Sequence, residues 1–152
     1  MKSSENWLAH DHAEHEQLLV RCQDAVAMED WKQANTTYRE LRAALEWHIT
    51  QEEEVVYPAF EATVQAPGEP TAALRSEHRK IMDAIKDTQR AFVSQNSEHV
   101  LDCLQHLEQL LIKHHEKEED IFLPMASLIL EPQKDVIMDK LKTLVNSKQE
   151  RK

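Results

Sequence analysis

Apolar residues recur along the chain at alternating spacings of three and four, which is the pattern of helices that bury one face in a bundle. The pattern predicts five helices. The first covers about residues 4–28, the second begins near residue 30, the third and fourth have apolar faces over 74–92 and 100–125, and the fifth covers about 132–147. Pro58 is expected to kink or end the second helix, and Pro132 to start the fifth. We therefore expect an all-α fold in a single domain, residues 1–152. An up-down four-helix bundle would span about 5–130, and a short packed helix would follow.

The composition supports a helical fold. Gly68 is the only glycine among 152 residues, whereas folds rich in sheet need many tight turns. The clearest loop is 65–70, which contains Gly68 and two prolines, and 94–97 supplies a break with capping residues before the fourth helix.

Polar side chains interrupt the apolar faces at six positions where the spacing predicts aliphatic residues. These positions are His15, His48, Glu52, His78, His114 and Glu118. Burying an unpaired carboxylate costs several kcal/mol, which is comparable with the whole stability of a small domain. Two carboxylates and four imidazoles in a core would therefore need a compensating cation. The neighbouring acids fall off these faces and are expected to be solvated: Glu53, Glu54, Glu119 and Asp120.

The second and fourth helices carry the same motif, His-x-x-x-Glu-Glu followed by an acidic residue, three apolar residues and Pro, at 48–58 and 114–124. Residues four apart share a helix face, so each copy places an imidazole beside a carboxylate. A looser match between 14–19 and 77–82 makes the first two helices resemble a repeat of the next two. A pseudo-twofold bundle would bring these groups to one midpoint, enough for two metals bridged by the glutamates. Nitrogen and oxygen donors without thiolate favour iron, ahead of manganese or zinc.

Over roughly residues 7–130, the doubled motif strongly resembles the hemerythrin-like domain, also called the HHE cation-binding domain. Members of that family hold a non-haem di-iron centre inside a helical bundle. The resemblance implies two iron ions, joined by an oxo or hydroxo bridge, with these ligands: His15, His48, Glu52, His78, His114 and Glu118. It also implies a small ligand such as dioxygen, nitric oxide or peroxide.

The sequence departs from the oxygen-carrying members of that family. Their third helix resembles His-x-x-x-His, but Leu74 stands four residues before His78 here. They also tend to place the last carboxylate five residues after its histidine, which would be Glu119, whereas the apolar spacing and the internal repeat favour Glu118. On the first helix, His12 is either a replacement for the missing histidine, a residue outside the ligand set or a solvent-facing residue.

A centre with open iron positions favours redox chemistry or reactive small ligands over reversible oxygen carriage. The first hypothesis is a protein that binds or senses dioxygen, nitric oxide or related ligands. The alternatives are a di-iron oxidoreductase acting on peroxide or nitric oxide, an iron storage or repair protein, and a metal-free helical interaction module. The chain contains neither His-Glu-x-x-His nor the Glu-x-x-His pairs of ferritin-like bundles, which argues against those metal sites.

The net charge, the cysteines and the remaining histidines bear on partners, cellular location and the protein surface. The formal net charge of −10 argues against nucleic acid and anionic membranes as partners. Two cysteines, Cys22 and Cys103, and no apolar segment long enough for a signal peptide or membrane span favour the cytoplasm. Both cysteines are expected to be small core residues, with a redox role as the alternative. The other histidines are expected at the surface or at helix ends: His10, His99, His106 and His115.

Overall fold

The computed structural model describes residues 7–8, 12–65 and 70–150, the last three as backbone alone. These residues form seven α-helices, which are α1 (His12–Ala27), α2 (Trp31–Gln51), α3 (Tyr57–Val64), α4 (Thr71–Ser94), α5 (Ser97–Lys117), α6 (Leu123–Ile129) and α7 (Lys134–Glu150). Within the same ranges there is no strand, and no helix has the length and apolar character needed to span a membrane. The all-α prediction is confirmed. The expected helix start near residue 4 and most of the 65–70 loop lie outside the described residues.

Side-chain caps set the start of the two helices that carry the repeated motif. The carboxylate of Asp30 accepts a hydrogen bond from the amide of Gln33 at 3.2 Å, before α2. The side chain of Asn96 accepts one from the amide of His99 at 3.0 Å, before α5. Each cap satisfies an amide that would otherwise lack a partner in the first helical turn.

Each copy of the motif changes from α-helix to one turn of π-helix at its buried glutamate. The π turns cover Glu52–Val56 after α2 and Glu118–Phe122 after α5. The amide following each turn bonds the carbonyl of its first residue, five positions back. Pro58 therefore does not itself end α2, which stops earlier at Gln51. Turns of this kind are rare and occur frequently at functional sites.

The extra residue in a π turn rotates everything that follows it on the helix. Unbroken α-helical spacing predicts Ile121 and Met125 in the core after Glu118. The structure instead leaves Ile121 60% exposed and buries Phe122 and Ala126 completely. The prediction for Ile121 is wrong because one inserted residue turns the later side chains by about 100°.

The C-terminal helix packs by a single stripe. It begins after a 3₁₀ turn, Glu131–Gln133, rather than at Pro132, and it continues beyond residue 147. Ile137 is buried and Leu144 packs partly against the same apolar cluster, but Val136 is 56% exposed. The prediction that Val136 belongs to the apolar face is wrong, since it lies one residue, about 100°, away from the stripe through Ile137.

The long helices enclose two apolar clusters with a polar layer between them. α1 packs against α2 and α5, and α4 packs against α5 and α2. One cluster includes Leu45 and Leu107, and the other includes Val56 and Phe122. Between these positions along each helix lie buried histidines and glutamates. The fold therefore places its buried histidines and glutamates in one layer, formed by the start of α1, the last turns of α2 and α5 with the π turns that follow them, and the first third of α4.

Candidate metal centre

Three histidines and two glutamates meet in the polar layer. One potential ligand atom of each lies within 4.8 Å of those of the others, and all five side chains are buried: His48, Glu52, His78, His114 and Glu118. α2 and α5 each supply a histidine, the π turn after each of them supplies a glutamate, and α4 supplies the remaining histidine. Five of the six residues singled out from the sequence come together in this group, which includes Glu118 rather than Glu119.

Carboxylates outside the group orient two of its imidazoles. Nδ1 of His78 donates to Glu53 at 2.7 Å, and Nδ1 of His114 donates to Glu77 at 2.8 Å. Lys117 pairs with the same Glu77. The Nε2 atoms of the two histidines face each other at 3.1 Å inside the group. A carboxylate on the outer nitrogen and an inward-facing second nitrogen are typical of histidines that bind metals.

His12, on α1, also has a carboxylate at its outer ring nitrogen and a member of the group at its inner one. Its Nδ1 donates to Glu119 at 2.5 Å, and its Nε2 lies 3.2 Å from Oε1 of Glu118. It is 4% exposed, which excludes the solvent-facing alternative. Glu119 and Glu53 each directly follow the buried glutamate of their own motif. The pairs His12–Glu119 and His78–Glu53 are therefore equivalent contacts, so His12 is the counterpart of His78 in the structure, whereas the match of 14–19 with 77–82 makes it His15.

His15 and His115 lie beside the group, on the side of His12 and His48. The rings of His12 and His115 stack with centroids 3.8 Å apart. The ring of His15 lies 5.5 Å from that of His48 and 5.5 Å from that of His115. The expectation of a surface position for His115 is wrong, because it is 6% exposed at the packed face between α1 and α5.

Two acids that were expected to be solvated have defined contacts. The side chain of Glu53 is 32% exposed and that of Glu119 is 56% exposed. Each nevertheless accepts a hydrogen bond from a buried imidazole, Glu53 from His78 and Glu119 from His12. Glu54 and Asp120 are exposed, as expected. The signal that could have identified the first two is their shared position, directly after the buried glutamate of each motif.

Tyr57 is a residue of the centre that the sequence analysis missed. Its hydroxyl donates to Oε1 of Glu52 at 3.1 Å and lies 3.4 Å from Oε2 of Glu118 and 3.5 Å from Nε2 of His78. Burial and the charge of Glu52 raise the pKa of this phenol well above its usual value, so it keeps its proton. The sequence signal that could have identified Tyr57 is its hydroxyl within the apolar run of the first motif, at the position where the second motif has Leu123.

The other histidines and the cysteines lie away from the group. His99 and His106 are exposed, as expected, and His10 lies outside the described residues. Cys22 is fully buried, and burial raises the pKa of its thiol to about 12, as suits a small core residue. Cys103 is only partly buried.

The negative charges in the group must be balanced by a metal ion or by protons. Burial would lower the pKa values of His48 and His114, but the neighbouring glutamates raise them to about 10 and about 11. Burial and Glu52 would raise the pKa of Glu118, but hydrogen bonds with His114 and His12 lower it to about 2. Without a metal, the carboxylates therefore draw protons onto the imidazoles. A metal ion can take the place of those protons, and the nitrogen and oxygen donors fit iron, manganese or zinc.

Comparison with known families agrees with this geometry. The hemerythrin HHE cation binding domain matches residues 4–126. No curated protein and no solved structure matches the chain. The matched range contains both copies of the motif and all the residues of the buried group. The chain therefore belongs to the hemerythrin HHE cation binding domain family.

Proposed function

We propose that the protein binds two iron ions in the buried group and uses them to bind or sense dioxygen, nitric oxide or a related small ligand. The proposed ligands are His48, Glu52, His78, His114 and Glu118, completed by a histidine of α1. The observation that carries the proposal is the convergence of these five buried side chains within 4.8 Å. When bound, iron supplies open coordination positions and a change of oxidation state to a small ligand.

Metal content tests the proposal directly. After iron-replete expression, we expect about two irons per chain and the absorption of a coupled ferric pair. Changing Glu52 and Glu118 together to Gln is expected to bring the content below about one, because both oxygen donors are weakened. Glu54→Gln, at an exposed position of the same motif, is the control and is expected to load normally. Wild-type protein that takes up no metal would support a metal-free helical module instead.

The histidine of α1 needs its own test. The spacing of the sequence favours His15, whereas the contacts of His12 with Glu118 and Glu119 support His12. We expect His12→Ala to lose about half of the bound metal and His15→Ala to retain it. The reverse result would return the ligand to His15. Circular dichroism of both variants checks that the helices still form.

Tyr57 favours a second candidate function, the disproportionation of hydrogen peroxide. A phenol that keeps its proton and lies within 3.5 Å of Glu52, His78 and Glu118 can donate a hydrogen bond to the oxygen of a small ligand bound there. Disproportionation, 2 H₂O₂ → 2 H₂O + O₂, needs no external reductant. Peroxide turnover that falls in Tyr57→Phe at unchanged metal content would favour this enzyme; a long-lived ligand complex without turnover would favour binding.

We also propose that α1, α2, α4 and α5 form an up-down bundle around the centre. The packing of α1 on α2 and α5, and of α4 on α5 and α2, supports this arrangement. Short connections between consecutive helices favour antiparallel neighbours. An experimental structure of the chain would test the direction of each helix.

A further inference from the structure

A cleft of about 290 Å³ lies between α1 and α5. Its walls are aliphatic and include Leu19, Val20, Leu111 and Ile112, and it also reaches the buried imidazoles of His15 and His115. Val20 and Ile112 are each 48% exposed, which places them toward the outer part of the cleft. The cleft therefore joins the surface to the buried histidines.

The inner end of the cleft adjoins the proposed metal centre. The rings of His15 and His115 lie 5.5 and 6.1 Å from that of His48, centroid to centroid. The ring of His115 also lies 6.1 Å from that of His114. His48 and His114 themselves are at most 4% exposed. A ligand that crosses the cleft would thus be separated from the buried group by a single layer of imidazoles.

His115, one of the residues that line the cleft, has a buried ring nitrogen, Nε2, without a hydrogen-bond partner among the described residues. Leaving such an atom unpaired costs about 1–3 kcal/mol. A partner that is not part of the chain, arriving through the cleft, would remove that cost. This atom is therefore the natural contact for the oxygen of a small ligand.

The charge around the cleft selects against anions. Glu16 and Glu108 are among its lining residues, and the chain carries a formal net charge of −10. Apolar walls add a further penalty, because an ion must lose water to pass them. A neutral molecule of a few atoms meets neither barrier.

We propose that this cleft is the entrance through which small neutral molecules with a terminal oxygen reach the centre, and that Nε2 of His115 binds that oxygen. Dioxygen, nitric oxide and hydrogen peroxide share this chemistry, whereas azide and nitrite carry a charge. The proposal rests on the proposed di-iron function, and it goes beyond that function by assigning the route, the charge selection and a positioning residue.

Closing the cleft tests the route. The double change Val20→Trp and Ile112→Trp is expected to slow the association of nitric oxide with the ferrous protein by about tenfold, since entry would then require the cleft to open. Val93→Trp, on α4 at 87% exposure, is the control for a surface tryptophan. Stopped-flow absorption gives the rates. A wild-type rate in the double variant at normal iron content would overturn the assigned route.

Neutralising the two acidic residues of the cleft tests the proposed selection against anions. Glu16→Gln with Glu108→Gln is expected to raise the association rate of azide with the ferric protein about two- to fourfold and to leave that of nitric oxide with the ferrous protein unchanged. Glu40→Gln with Glu131→Gln, at two exposed positions that do not line the cleft, removes the same two charges and is the control. Equal effects on both ligands, or none on azide, would refute the charge selection.

The role of His115 shows in ligand dissociation. His115→Leu is expected to raise the dissociation rate of nitric oxide about fivefold, the loss of one hydrogen bond, with little change in association. His115→Gln keeps a polar hydrogen-bonding group and is expected to restore part of the difference. A purely structural role would not separate Leu from Gln in this way, and equal dissociation rates in all three proteins would rule the contact out.

A readout without iron chemistry separates this proposal from the proposed function. Crystals of the full chain under xenon pressure are expected to show xenon between Leu19 and Leu111, whatever metal is present, because apolar cavities bind xenon. Protein without metal but with xenon in the cleft would reject the di-iron function alone. Protein with two irons but no xenon, and with unchanged rates in the cleft variants, would reject the entrance alone.

Discussion

The two nitrogens of the His78 imidazole ring, and likewise those of His114, meet different surroundings. In His78 the outer nitrogen donates to Glu53 and the inner one lies 3.0 Å from Oε1 of Glu52. In His114 the same roles fall to Glu77 and Glu118, at 2.8 and 3.3 Å. The outer carboxylate fixes the tautomer and the ring orientation, so the lone pair points to the place where a cation is needed.

The outer carboxylates should therefore matter for metal affinity. Glu53→Ala is expected to weaken metal binding about 10- to 100-fold, because His78 loses the group that orients its ring. Glu54→Ala removes the neighbouring exposed carboxylate and is expected to bind metal as the wild type does. Competition with a chelator measures both affinities. Equal affinities in the two variants would show that Glu53 plays no part in positioning the ligand.

At the scale of the helix, the π turns decide which residues enter the core. In both motifs the turn begins at the buried glutamate. In the second motif the apolar face continues one residue later than unbroken α-helix would place it, whereas in the first motif Val55 remains buried beside Val56. Val56 and Phe60 are buried in the first motif, and Phe122 and Ala126 in the second. The same local change thus occurs twice, at equivalent positions of the repeat, and next to the proposed metal ligands.

The shifted apolar face predicts unequal losses of stability when two neighbouring residues are each changed to alanine. Phe122→Ala is expected to reduce the free energy of unfolding by about 3–5 kcal/mol, because it empties a fully buried site. Ile121→Ala, at 60% exposure, is expected to cost less than about 0.5 kcal/mol. Urea unfolding of metal-loaded protein measures both. A larger loss for Ile121 than for Phe122 would mean that the helix continues without the π turn.

At the scale of the whole molecule, a polar layer separates two apolar clusters. The clusters hold the helices together by burying aliphatic and aromatic side chains. The layer between them contains two fully buried carboxylates, Glu52 and Glu118. It therefore stabilises the fold only when a cation or protons balance its charge.

The stability of the metal-free protein should fall as the pH rises. The folded-state pKa values of His48 and His114 are raised to about 10 and about 11, above an unfolded value of about 6.5. Their contribution to folding is therefore complete below about pH 6.5 and is lost as the pH rises through the folded values. Urea midpoints of chelator-treated protein between pH 6 and pH 10 measure the effect.

Metal-loaded protein should behave differently. Metal ligands must lose their protons, so metal binding strengthens where the metal-free protein weakens. The difference in stability between the two forms is therefore expected to widen as the pH rises. The variant with Gln at positions 52 and 118 serves as the control and should show a flatter dependence, since it lacks the carboxylates that raise the histidine pKa values. A metal-free wild type as flat as this variant would contradict the argument.

The sequence by itself determined the helical class and the buried group made by His48, Glu52, His78, His114 and Glu118. These depend on spacing along a helix, because residues three and four apart share a face wherever the helix lies. A polar residue at such a core position is conspicuous without any knowledge of the partner helix. Periodicity and an internal repeat were therefore enough to identify them.

Only the tertiary structure decided the rest of the centre. The way in which faces of different helices meet decides three features of the centre. These are the contact of His12 rather than His15 with Glu118, the burial of His115, and the carboxylate that accepts the hydrogen bond of His78. The π turns also escaped the sequence analysis, since a one-residue insertion leaves composition and motif unchanged while it rotates every later side chain. Contacts between helices far apart in the chain depend on the packing of the whole molecule, so they cannot be predicted from the spacing of residues along one helix.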